Sequence, residues 1–178
     1  MVLKYIAFKG EQVYNPCRKE MMFVRKDPVK RLVMTALMAA LCCGATMVVQ
    51  IPSPMNGYVN LGDCVVLLCG WLLPTGWAFA AAGVGSALAD LISGYGVYVP
   101  ATLLIKGLMA LMTNKIKPRW LGALTAEAWM VAGYFLFACL MMGEGWAAAA
   151  SVPGNLAQGA VGMIAALTLE RALRKVKI

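Results

Sequence analysis

The chain has 178 residues, 61% of them hydrophobic and only 13% charged, with a mean hydropathy of +0.73. Soluble domains carry about a quarter charged residues, so this composition excludes one and points to a polytopic membrane protein. At ~20 residues per span there is room for about five or six helices.

The net charge of +8 is informative through its distribution. Lys4, Lys9, Arg18, Lys19, Arg25, Lys26, Lys30 and Arg31 precede the first apolar run. Lys115, Lys117 and Arg119 share one later gap, and Arg171, Arg174, Lys175 and Lys177 close the chain. Basic clusters at the ends of apolar spans mark the cytoplasmic face. The charge therefore reports topology, with anionic lipid as the expected neighbour and no nucleic acid partner. Only Lys106 departs from this pattern.

Six cysteines form no C-x-x-C pair and, apart from Cys17, lie in or beside apolar runs. They read as small hydrophobes. With no histidine in the chain, neither a metal site nor a cofactor is expected. No cleavable signal peptide is expected, because a polar, basic segment comes first.

Residues 1–29 read as a basic cytoplasmic arm ahead of a single membrane domain, 30–178. Tyr5, Phe8, Tyr14 and Phe23 are interleaved with its cations, which also permits a surface-lying amphipathic helix. The first span is expected from about Lys30 to Gln50, stopped by Pro52 and Pro54. Ala36, Ala40 and Gly44 follow one another at steps of four. Small residues at that spacing allow close helix approach, either to a partner or within the bundle.

The connection Ile51–Gly62 is rich in Pro, Gly and Asn, without Lys or Arg, and alternation puts it outside. Asp63 follows as an expected N-cap for a short helix ending near Leu73. Pro74-Thr75-Gly76 makes an inner turn between Trp71 and Trp77. Helix three, about Trp77–Ile92, is rich in Ala and Gly. Asp90 lies at its outer end, where the helix dipole disfavours an anion. Hydrogen bonding to loop amides or a site role would each compensate it.

Helix four starts after Pro100 and descends to about Lys115, with Lys106 one to two turns below its outer end. That lysine is expected either to snorkel toward headgroups or to pair with an acid. Helix five, about Leu121–Met142, carries Glu127, and a Lys106–Glu127 pair is the expected arrangement because an unpaired charge in hydrocarbon is costlier than a paired one. The outer loop Gly143–Pro153 holds Glu144 and Trp146. Helix six starts near Gly154-Asn155, with Asn155 as N-cap and Gln158 one turn on. The resulting expectation is an all-α bundle of six transmembrane helices with both termini cytoplasmic. No G-x-x-x-x-G-K-[ST] is present, so the chain is not its own P-loop motor.

The segments YVNLGD, GSALADLISGY and YVPATLLIKGLMAL, with Ala126–Phe135 and Val152–Gly159, occur in an order that resembles the S component of energy-coupling-factor (ECF) vitamin transporters. The resemblance is nearest the subgroup linked with riboflavin, hydroxymethylpyrimidine or vitamin B6-like substrates. It implies a multi-pass plasma-membrane subunit without catalysis, capturing a vitamin or precursor in its outer half. It also implies a membrane coupling subunit and two cytoplasmic ATPases as partners, with Ala36 and Ala40 (and Gly44 beyond them) facing the coupling subunit. The positions matching the substrate site are Asn56, Tyr58, Asn60, Asp63, Tyr98, Lys106, Glu127, Trp129, Tyr134, Asn155 and Gln158, and the residue reading adds Asp90. Trp129 and Tyr134 would stack on a flat ring while amides and carboxylates bind its substituents. Two other classes compete: an intramembrane enzyme using Asp63 and Asp90 as an aspartic dyad, and a solitary channel or structural subunit.

Overall fold

The computed structural model describes residues 27–52 and 58–175. Among the described residues, six α-helices form one bundle: α1 Pro28–Val48, α2 Gly62–Leu72, α3 Thr75–Ile92, α4 Val99–Lys115, α5 Arg119–Leu140 and α6 Val152–Lys175. Short 3-10 turns, Gly96–Tyr98 and Gly145–Ser151, lead into α4 and α6. Between α1 and α2 lies a small antiparallel ribbon, β1 Gln50–Pro52 and β2 Tyr58–Asn60, with Ile51 opposite Val59. The sequence did not announce this ribbon. The basic arm lies outside the described residues apart from its last three positions.

Helix α1 begins two residues earlier than expected because Asp27 caps it, accepting from the amides of Val29 and Lys30. Pro28 then occupies the first turn, where its missing N–H costs nothing. Five of the helical segments are long and apolar enough to cross a membrane. Helix α2 has only 11 residues, about 16 Å at 1.5 Å per residue, roughly half a hydrocarbon core. It is also the most enclosed: Val66, Leu67, Leu68, Cys69 and Trp71 are all buried.

Packing around α2 depends on residues that let backbones approach. A Cβ at Gly70 would strike the Thr113 hydroxyl and the Ala110 carbonyl of α4, and one at Gly85 would strike the Ala39 carbonyl of α1. Gly83 against Leu103 and Gly107 against the Phe79 ring do the same between α3 and α4. Small residues at crossings are the means by which helices associate in lipid, where burying apolar surface gives no net gain. Conversely, the outward faces are apolar: Leu32, Leu37, Leu41, Leu91, Leu104, Leu136, Ile164 and Leu173 are exposed. A water-soluble protein does not display such a continuous apolar surface.

The two ends of the bundle differ. At one, Glu170 of α6 accepts ion pairs from Arg119 and Arg174. Arg119 also lies over the Trp71 ring at 5.6 Å, and Arg31 over Trp77 at 5.9 Å. The opposite end carries the ribbon and both 3-10 turns, and among the described residues it contains no Lys or Arg.

Candidate functional site

The end without cations opens into a cleft with about 550 Å³ of empty space, its mouth included. Its walls come from β2, the α3–α4 connection, α4, α5 and the start of α6. Aromatic lining is supplied by Tyr58, Tyr95, Tyr98 and Tyr134, and amides by Asn60, Asn155 and Gln158. Tyr58 and Tyr95 are in contact at 4.7 Å between centroids, and Tyr98 lies 6.5 Å from Tyr134. Tilted rings at these spacings are favourable aromatic contacts.

The ribbon places Tyr58 over Asp90, the last acidic residue of α3, and its hydroxyl donates to Oδ1 at 2.5 Å. Burial first, then the Asp90 hydrogen bond, push the Tyr58 phenol well above its ordinary range. A backbone amide, that of Tyr95, bonds the Asp90 carbonyl and not the side chain. Of the two ways open to compensate the carboxylate, loop amides do not supply it; a phenol bonds Oδ1.

Two residues further, Asn60 is buried and anchors the floor. Its Oδ1 accepts from the Gly62 amide at 2.8 Å, a local turn that starts α2. This corrects the expected role of Asp63. The position before the helix is Leu61, which makes no side-chain cap, and Asp63 lies inside the first turn. Asp63 is fully buried and so is not at the outer rim either. The short α2 begins partway into the bundle, which carries its first turn to the level of Lys106, midway along α4.

There Lys106 forms an ion pair with Asp63 Oδ1, and Gln158 Nε2 donates to Asp63 Oδ2 at 2.6 Å. Gln158 Oε1 accepts from the Asn60 amide at 2.8 Å. Gly162, one turn along α6, allows this approach, since a Cβ there would lie 2.7 Å from that of Asp63. The expected Lys106–Glu127 pair is thus replaced by Lys106–Asp63. Glu127 is buried with neither carboxylate oxygen hydrogen-bonded. It faces α6, where a Cβ at Gly159 would come within 3.0 Å of its Oε2.

The sequence-derived residues therefore divide. Tyr58, Asn60, Asp90, Tyr98, Tyr134, Asn155 and Gln158 line the cleft together. Asp63 and Lys106 lie behind it, joined to it through Gln158, and Lys106 Nζ sits 5.6 Å from the Tyr134 ring centre. Trp129 is 40% exposed on the outside of α5 and does not line the cleft. Asn56 falls outside the described residues. Asn155 is not an N-cap: α6 starts at Val152, leaving its amide free to face the cleft. Tyr95, Thr102, Ala138 and Ser151 line the cleft and were missed. Only Tyr95, in a Gly-Tyr-Gly-Val-Tyr run beside Asp90, carried a readable signal.

Ala36, Ala40 and Gly44 form an exposed stripe on α1, and nothing lies within 4 Å of a Cβ built at Gly44. The inward face of that helix is instead Thr35, Met38, Cys42 and Thr46. Internal packing does not account for the stripe.

A family model, that of the ECF-type riboflavin transporter, S component, matches residues 26–175. The chain belongs to this family. It is 28% identical over 152 residues to the thiamine precursor transporter HmpT of Lactococcus lactis subsp. cremoris (strain MG1363), covering 84% of this chain and 91% of that protein. It is also 38% identical over 112 residues to an uncharacterized protein of Pyrococcus woesei, covering 58% and 75% of the two chains. This S component is a multi-pass plasma-membrane protein and a substrate-binding transporter subunit. The two carboxylates have separate partners: both Asp63 oxygens are engaged, one by Lys106 and one by Gln158, while Asp90 Oδ1 takes the Tyr58 hydroxyl.

Proposed function

We propose that this S component captures a flat heteroaromatic vitamin or vitamin precursor and surrenders it by docking on a membrane coupling subunit driven by two cytoplasmic ATPases. The observation that carries the reading is the cleft, with tyrosines and amides converging at the cation-free end of an S-component bundle. By the positive-inside rule that end faces outward and the basic end, with both termini, faces the cytoplasm. Aromatic walls with a few fixed polar groups are what a small planar ligand requires.

Stacking falls to the tyrosines that line the cleft, Tyr58, Tyr95, Tyr98 and Tyr134. Asn60, Asn155 and Gln158 bind ring substituents. The exposed Ala36–Ala40–Gly44 stripe is the docking face for the coupling subunit. Riboflavin, from the family's description, and a thiamine precursor, from the HmpT relative, are the two substrates to try first.

The test is mass spectrometry of small molecules carried through purification, followed by titration of the protein with whatever is found. A retained heteroaromatic vitamin or precursor, bound tightly and stoichiometrically, is expected. Ion conductance with no retained ligand would replace this reading with a channel, since pores must release what they bind.

A further inference from the structure

Among the described residues, Asp90 is the one charged residue lining the cleft. It is 5% exposed, and while Oδ1 takes the Tyr58 hydroxyl, Oδ2 has no hydrogen-bond partner. Thr102 Oγ1, the neighbouring hydroxyl, interacts with the Asp90 carboxylate and is paired with Tyr134 Oη at 3.0 Å. The carboxylate stands in the last turn of α3, where the helix dipole adds to the cost of an anion. A buried acceptor left without a donor is costly unless something supplies one.

Among the described residues no cation lines the cleft. Residues 32–105 and 120–170 carry only acidic charge, and Lys106 is the cation whose field reaches Asp90. That lysine lies behind the cleft and is committed to Asp63. The outer loops contribute Glu144 and no Lys or Arg.

We infer that Asp90 Oδ2 is the ligand's recognition point, accepting from an N–H of a neutral or cationic nitrogen heterocycle, and that the cleft refuses the phosphorylated form of the same compound. This rests on the capture reading above and specifies its substrate class. Gln158 supports it: one N–H and one lone pair of its amide are fixed by Asp63 and Asn60. One donor and one acceptor are left to meet the same heterocycle. A phosphate would meet an anion at Asp90 with no guanidinium or ammonium to offset it.

The experiment uses the full chain in detergent or nanodiscs and two probe pairs, riboflavin with riboflavin 5′-phosphate and hydroxymethylpyrimidine with its monophosphate. At least one unphosphorylated probe should bind, with its phosphate weaker by roughly 100-fold or more. Asp90→Asn keeps the shape and the Tyr58 contact while removing the charge. It should weaken the unphosphorylated probe by about 10–100-fold and narrow the gap to the phosphate. Equal binding of a probe and its phosphate, or unchanged selectivity in Asp90→Asn, overturns this inference and leaves capture standing. Binding of none of the four probes, together with no retained heteroaromatic, overturns both.

Discussion

Lys106 of α4 is ion-paired with Asp63 of α2 in the closed middle of the bundle, and Glu127 of α5 is left outside that pair. The two partners are 2% and 0% exposed. Their pair does more than neutralise charge, because the second Asp63 oxygen holds Gln158, which lines the cleft.

Removing one partner leaves a buried uncompensated charge, which costs about 3–5 kcal/mol. Lys106→Met and Asp63→Asn should each lower the thermal midpoint in detergent markedly. The double variant should recover much of the loss. Two independent, additive losses would show that the residues do not act as a pair.

Glu127 is buried with both oxygens lacking partners. Replacing an unpaired buried acid by Gln or Met relieves desolvation, so Glu127→Met should be neutral or stabilising in the same thermal assay. A loss above about 2 kcal/mol, the scale of a broken buried network, would show that the carboxylate has a partner in the folded protein.

Gly85 packs against α1 so closely that a Cβ would lie 2.4 Å from the Ala39 carbonyl. Backbone cannot move aside as a side-chain tip can. Gly85→Ala should therefore cost about 1–3 kcal/mol, and Gly85→Leu should prevent recovery of folded protein. Wild-type yield and melting in Gly85→Leu would mean that α1 and α3 are further apart.

Tyr58 has a phenol whose proton is held more firmly in the folded protein than in the unfolded chain, by burial and by Asp90. The sign follows directly: its contribution is complete below the unfolded value of about 10 and is lost as pH rises beyond it. Wild type should lose stability progressively as pH rises above about 10, and Tyr58→Phe should lose less. Parallel curves for the two proteins would remove Tyr58 from the account.

The α1 stripe gives a prediction that separates docking from folding. Ala36→Trp and Ala40→Trp add bulk on an exposed face, which blocks close helix approach. Vitamin uptake by cells should fail, while purified protein should bind ligand as wild type does. Loss of ligand binding would assign the stripe to the bundle's own integrity.

By itself the sequence determined the membrane class, the helix order and the end at which the site lies. Apolar run length, basic clusters and Pro/Gly/Asn-rich connections are local quantities, and a bilayer enforces them strongly. Of seven named residues that line the cleft, six came from the resemblance to the S-component family and Asp90 from the cost of a carboxylate in so apolar a chain. Pairing was beyond the sequence. Whether Lys106 meets Asp63 or Glu127 depends on how far α2 starts into the bundle and on the approach that Gly162 permits. The stacking face was also undecided: helical rotation turns Trp129 outward and Tyr134 inward, and rotation is set by neighbours that periodicity does not name. The ribbon that lays Tyr58 on Asp90 joins residues 32 apart in sequence, so only the tertiary fold shows that this rim carboxylate is half satisfied and half open.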